Sequence, residues 1–172
     1  GISPRSMHIH LLWALERLAW CPDYLSRATV ILGRLDALDP GGQLNNRPKN
    51  SLFEIYVPWH PSTAATPERR MNAIRALYDR CPAEGWKLAI SLLPSSHEIA
   101  SPTSAPRWRT WKPEADIKIA IDEYWKFVEQ IVTELLEWVK DDDSRWAELV
   151  SQCSEIQLGY PALGNTLIAA LE

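Results

Sequence analysis

The stretch LLWALERLAWCPDYLSRATVILGRL, residues 11–35, decides the fold that we expect for this chain. Apolar residues recur every three or four positions on both sides of Cys21-Pro22, a spacing that is typical of amphipathic helices. Pro22 cannot continue the first helix because its ring clashes with the preceding turn, but it can occupy the first position of a new helix. The stretch therefore predicts one helix over 7–20 and a second over 22–38.

The same arrangement returns sixty positions later around Cys81-Pro82, where helices are predicted over 67–80 and 82–93. The two copies match in pattern more than in identity, so two unrelated antiparallel helix pairs are an alternative. In either case a lone helix pair cannot bury its apolar face, and neighbouring pairs must stack on it. We expect a single all-α domain over 7–172, with seven to eight helices in antiparallel hairpins stacked as a short α-solenoid of the HEAT or TPR type.

Further signals place the remaining helices. Ser51 and Glu54 fit a capping box, in which each side chain bonds a free backbone N–H at the start of a short helix. Residues 113–140 carry an apolar stripe that is too broad for a two-stranded coiled coil, so we expect this longest helix to pack on two neighbours. The acidic run Asp141–Asp143 is expected to cap the next helix, over 145–158.

Composition indicates an ordinary globular chain, 172 residues long with 46% hydrophobic and 23% charged residues. Three widely spaced cysteines favour free thiols and a cytoplasmic location. We find no run of about 18 uncharged apolar residues that could span a bilayer, so no membrane contact is expected. The chain does not begin with Met. Residues 1–6 are expected to be an expression remnant or a disordered start, and 7–172 a fragment of a longer chain.

Charge is unevenly distributed along the chain. Residues 1–113 contain 14 Lys and Arg against 9 Asp and Glu, a balance of +5, whereas residues 114–172 contain 4 against 13, a balance of −9. The acidic half is explained either by solvated helix faces or by an acidic end that binds a neighbouring repeat while a basic groove faces a partner.

The segment 94–113 is the longest stretch without a helical period, and loops of this length inside compact domains are usually functional or disordered. Cations alternate with indoles at its end, a pattern that can anchor a protein contact or grip phosphates while stacking on bases. Alternatively, the tryptophans tuck the loop between helix layers and the arginines bond helix C-terminal carbonyls. The candidate binding residues are Arg107, Trp108, Arg109, Trp111 and Lys112, with His97 upstream.

Catalytic signatures are missing from the sequence. It has no Gly-rich phosphate loop, and the imidazoles of His8 and His10 point to different helix faces, which makes them poor ligands for one metal. We therefore assign no catalytic residue, no metal and no cofactor. A small helical enzyme or enzyme subunit remains an alternative, with His97, Glu98 and Arg107 around a pocket near the loop. An autonomous dimer joined through the 113–140 helix is a further alternative.

Five motifs lie between Leu11 and Arg109: Leu12–Arg27, Asp39–Gly42, Asn46–Ser51, Pro58–Pro61 and Pro102–Arg109. Together they resemble the helical-repeat part of large bacterial multidomain proteins, of the kind attached to NTPase or other effector modules in antiphage defence. The resemblance implies an intracellular sensor or scaffold segment whose enzymatic module lies elsewhere, and it carries over no catalytic residue.

Together these patterns predict a non-catalytic binding or scaffold segment that mediates protein–protein contact or ligand sensing. The expected partner is a protein or an adjacent domain of the longer chain, with a nucleic-acid-binding helical domain as the alternative. The oligomeric state stays open.

Overall fold

The computed structural model of this protein describes residues 9–41, 46–95, 99, 101–111 and 118–170. In these ranges the chain is all-α and its helix pairs stack in a solenoid-like order, which confirms the predicted fold class. The expected remnant at 1–6 lies outside the described residues. The helices are α1 (Ile9–Ala19), α2 (Leu25–Ala37), α3 (Pro48–Tyr56), α4 (Pro67–Arg80), α5 (Pro82–Ser91), α6 (Ile121–Val139), α7 (Asp143–Gly159) and α8 (Pro161–Ala169).

Both Cys-Pro pairs separate two helices, as predicted, but the two breaks differ. Pro82 is the first residue of α5. Pro22 does not open α2, because the N–H groups of Tyr24 and Leu25 both bond the Cys21 carbonyl oxygen, at 3.0 and 3.1 Å, and form a turn. The predicted start of the second helix at Pro22 is therefore wrong by three residues.

The predicted capping box is also wrong, because α3 begins at Pro48. The Ser51 hydroxyl instead donates a hydrogen bond of 2.7 Å to the Glu16 carboxylate on α1. The Glu54 carboxylate accepts a hydrogen bond of 2.7 Å from the backbone N–H of Ser101. Both side chains that the local pattern assigns to a helix N-terminus are used for tertiary contacts.

The core is organised around α2, which contacts α1, α3, α4 and α5. Helices α4 and α5 pack closely against each other at Gly85. A Cβ atom at this position would lie 2.5 Å from the Cα atom of Tyr78. No side chain fits there unless the two helices separate, which reflects the close packing of protein interiors. The fully buried residues of this core include Ala19, Leu25, Leu32, Ile55, Tyr56, Ile74, Leu77 and Leu92.

The longest described helix, α6, begins at Ile121 and not at the predicted residue 113. Residues 118–120 are not helical, and 113–117 lie outside the described part of the chain. As predicted, α6 packs on more than one neighbour: it contacts α4, α5 and α7. Arg70 of α4 is buried beneath it, with the guanidinium carbon 4.3 Å from the centre of the Phe127 ring.

The acidic run after α6 caps the next helix, as predicted. The Asp142 carboxylate accepts hydrogen bonds from the backbone N–H groups of Ser144 and Arg145, at 3.0 and 3.2 Å. Such bonds satisfy donors that have no partner within a helix. Across the described residues, none of the helices is both long and apolar enough to cross a bilayer.

Candidate binding site

The irregular segment 57–66 closes the C-terminal end of α1. The Thr63 hydroxyl donates a hydrogen bond of 2.6 Å to the Ala19 carbonyl oxygen, and the N–H of Ala64 donates one of 3.1 Å to that of Trp20. Carbonyl groups at the end of a helix have no partner within the helix, so these bonds complete it. The last turn of α1 is thereby held against a fixed neighbour.

The segment 101–111 is attached to this neighbour. The N–H of Thr103 donates a hydrogen bond of 3.0 Å to the Ser62 hydroxyl, and Thr103 itself is buried. Together with the bond from Ser101 to α3, this contact holds the first half of the segment. Residues 107–110 beyond it are exposed.

The two tryptophans of the segment have different surroundings. Trp111 is half-buried and packs edge-on against Tyr24, with ring centres 5.8 Å apart and ring planes at 64°. The guanidinium carbon of Arg109 lies 5.8 Å from the centre of the Trp111 ring. Trp108, in contrast, is 93% exposed. Trp111 therefore fastens the segment, whereas Trp108 is presented to solvent.

A cavity of ≈ 600 Å³ lies between this segment and the last turn of α1. We call it the Trp108 pocket. Its volume falls within the range of about 300–1,000 Å³ that is usual for ligand pockets. It is lined by Arg17 and Leu18 of α1 and by Pro106, Arg107, Trp108, Arg109 and Trp111 of the segment.

The Trp108 pocket combines apolar walls with positive charge. Three of its lining residues are arginines, Arg17, Arg107 and Arg109, and among the described residues that line it none is acidic. Asp23, which precedes Tyr24 in sequence, forms an ion pair with Arg69 at 2.9 Å. The pocket can therefore hold an apolar group while its arginines bind anions, for which the planar guanidinium is well suited.

Comparison with known proteins assigns no function to this arrangement. No protein-family model, no curated protein and no solved structure matches the chain. The resemblance to bacterial helical-repeat segments stays a prediction.

The structure brings together four of the six predicted binding residues, since Arg107, Trp108, Arg109 and Trp111 all line one pocket. The other two, Lys112 and His97, lie outside the described residues. The alternative in which tryptophans tuck the loop against the helices describes Trp111 and not Trp108. The binding role of these residues stays a prediction.

Three residues of the site escaped the sequence analysis: Arg17, Leu18 and Tyr24. Leu18 and Tyr24 have the spacing of core residues, yet 38% of Leu18 and 43% of Tyr24 is exposed. Both occur near a predicted helix break, where a side chain can leave the core. That position is the only sequence signal that could have marked them.

A second cavity, of ≈ 1020 Å³, also borders α1, through Trp13 and Glu16. We call it the acidic cavity because its lining contains five carboxylates, Glu16, Asp36, Asp39, Glu54 and Glu84. Burial raises the pKa of Glu16, Asp36 and Glu54 above the usual range, because desolvation disfavours the charged form.

Most of these carboxylates are engaged within the chain. Glu16 and Glu54 accept the hydrogen bonds from Ser51 and Ser101 described above. Asp39 forms an ion pair with Arg47, and Glu84 lies 3.7 Å from the Lys87 ammonium group. In the acidic cavity Glu16 thus joins α1 to α3, and Glu54 joins α3 to the segment 101–111.

The described part of the chain contains no cluster of three or more His, Cys, Asp or Glu side chains that could hold a metal ion. Cys21 and Cys81 are buried, Cys153 is half-buried, and all three thiols are free. The alternative of a small enzyme depends on His97 and Glu98, which lie outside the described residues, so it remains a prediction.

Proposed function

We propose that this chain is a non-catalytic, scaffold-type binding segment that contacts a protein partner through the Trp108 pocket. The observation that supports the proposal is the exposure of Trp108, 93% of which faces solvent at the rim of an apolar cavity. An exposed indole keeps a large apolar surface in contact with water. Burying this surface against a partner is favourable through the hydrophobic effect. Tryptophan and arginine are also the residues that most often dominate protein interfaces.

The helical framework supports the same proposal. Stacked helix pairs form a rigid wall on which a loop can be presented. Here the loop is fastened through Thr103 and Trp111, so little conformational entropy is lost when a partner binds the residues between them. The resemblance to bacterial helical-repeat segments points to a separate protein or to an adjacent domain of a longer chain as the partner.

The proposal can be tested by peptide display. The purified chain is used to select binders from a random peptide library, and the binders are titrated against variants. We expect Trp108→Ala to weaken binding at least about tenfold, since truncation of an interface tryptophan commonly costs more than 1.4 kcal/mol. Circular dichroism should show an unchanged helical content, because Trp108 packs on little.

Trp13→Ala is the matched control, because Trp13 is a second exposed tryptophan, 42% accessible, on the rim of the acidic cavity. It should bind the selected peptides within twofold of the parent chain. The proposal fails if no peptide is enriched, or if Trp13→Ala weakens binding as much as Trp108→Ala.

A further inference from the structure

We propose that the Trp108 pocket binds a short acidic segment of another protein, which inserts one large apolar side chain into the cavity. The inference rests on the proposed function and adds the chemistry of the partner to it.

Charge complementarity is the first argument. Arg17 approaches the pocket from α1, and Arg107 and Arg109 approach it from the loop. Within the described residues, none of these three guanidinium groups forms an ion pair, and the lining contains no carboxylate. A partner that brings carboxylates to the rim can therefore form charge-assisted, bidentate hydrogen bonds there.

The shape and polarity of the cavity give the second argument. Leu18, Pro106 and the two indoles provide apolar walls around ≈ 600 Å³ of space. A bulky aliphatic or aromatic side chain gains free energy in such a space, whereas a carboxylate placed against those walls loses its hydration. The apolar side chain of the partner therefore enters, and its carboxylates bind the arginines that line the pocket.

Nucleic acid fits these observations less well. Phosphate backbones are bound by stripes of many cations, and the chain as a whole carries a net charge of −4. The pocket offers three arginines around one concavity, and one indole, that of Trp108, is fully open for stacking. A groove that follows a strand needs several such platforms in a row.

The test uses the sequences of the peptides enriched by display on the full chain. We expect the enriched pool to be more acidic than the starting library and to share one large apolar residue. The double variant Arg107→Ala, Arg109→Ala should bind these peptides at least about tenfold more weakly, because charge-assisted hydrogen bonds are lost. Affinity should also fall as salt is raised from 50 to 300 mM.

The control is Arg34→Ala, Arg80→Ala, which removes the same charge from exposed arginines of α2 and α4 that do not line the pocket. It should change affinity by less than twofold. Enrichment of neutral or basic peptides whose binding still depends on Trp108 would overturn the inference that the partner is acidic. It would leave the proposed function standing. No enrichment at all would overturn both.

Two further measurements decide between kinds of occupant. A labelled 12-nucleotide single-stranded RNA that binds more tightly than the best peptide, and loses affinity in Trp108→Ala, would overturn the inference in favour of nucleic acid. Self-association in sedimentation velocity that Trp108→Ala abolishes would overturn it in favour of a second copy of the chain. We expect neither result.

Discussion

The two cavities that border α1 differ in how their charged side chains are paired. In the acidic cavity Glu16 accepts a hydrogen bond from buried Ser51, and Asp39 pairs with Arg47. In the Trp108 pocket the next residue along the helix, Arg17, stands beside other arginines and an exposed indole. Two consecutive residues of one helix therefore differ: the Glu16 carboxylate bonds a neighbouring helix, whereas Arg17 lines a surface pocket.

The difference separates stability from binding. A charged side chain that is hydrogen-bonded to buried groups stabilises the fold, and removing it leaves those groups without partners. A charged side chain at the rim of an open pocket contributes little to the free energy of folding. It contributes to the free energy of binding when a partner of opposite charge contacts it. Substitutions on the two sides of α1 should therefore change different measured quantities.

The largest effect is expected from Glu16→Ala compared with Arg17→Ala. Loss of the Glu16 carboxylate leaves the Ser51 hydroxyl, which is 4% exposed, without its acceptor, and should lower the free energy of unfolding by about 1–3 kcal/mol. Arg17→Ala removes only a favourable charge in the last turn of α1 and should cost about 0.5 kcal/mol. Urea unfolding monitored by circular dichroism measures both values.

A matched control for the carboxylate is Glu137→Ala, which removes an exposed acid from α6 and should change stability by less than about 0.5 kcal/mol. The effects on peptide binding should have the reverse order, with Arg17→Ala lowering the affinity more than Glu16→Ala does. If Arg17→Ala destabilises the chain more than Glu16→Ala does, the division between the two cavities is wrong.

The parts of the fold that were predictable depend on covalent geometry. Proline cannot continue a helix that precedes it, so the breaks at Cys21-Pro22 and Cys81-Pro82 could be read from the sequence. The start of α2 could not, because a turn that bonds Tyr24 and Leu25 to Cys21 competes with an immediate helix. Both outcomes are compatible with the same local residues.

The candidate site was predictable only on one side. Arg107, Trp108 and Trp111 were recognised because cations and indoles alternate in a segment without helical period. Their neighbours Arg17 and Leu18 lie about ninety positions upstream, and no local pattern links the two regions. The link depends on tertiary hydrogen bonds such as that from Thr103 to Ser62, which the spacing of residues does not encode.

A smaller effect is expected from Trp111→Ala compared with Trp108→Ala. Trp111 packs against Tyr24, and such aromatic pairs contribute about 0.5–1.5 kcal/mol beyond the area they bury, so its loss should cost about 1 kcal/mol. Trp108→Ala should cost less than about 0.5 kcal/mol, because the side chain is almost wholly exposed. Thermal unfolding compares the two variants.

Limited trypsin digestion gives an independent view of the same pair. Cleavage after Arg107 and Arg109 should be faster in Trp111→Ala, because the loop loses an attachment, and unchanged in Trp108→Ala. Equal cleavage rates in both variants would mean that Trp111 does not fasten the segment.

The smallest expected effect is the pH dependence of stability that arises from the acidic cavity. Burial raises the pKa of Glu16, Asp36 and Glu54, so between the unfolded and folded pKa values the folded chain binds more protons than the unfolded chain. The contribution of these groups to stability therefore decreases as pH rises through that window, and increases as the pH is lowered towards the unfolded pKa values of about 4. Asp142 acts in the opposite sense, since hydrogen bonds, chiefly from Ser144, lower its pKa, and its contribution is lost only at lower pH.

The triple variant Glu16→Gln, Asp36→Asn, Glu54→Gln keeps acceptor oxygens at these positions and removes the titration. Urea midpoints of the parent chain should rise relative to the variant as the pH is lowered from 7 to about 4. A parent-minus-variant difference that is flat with pH would mean that these carboxylates are solvated and that burial does not raise their pKa.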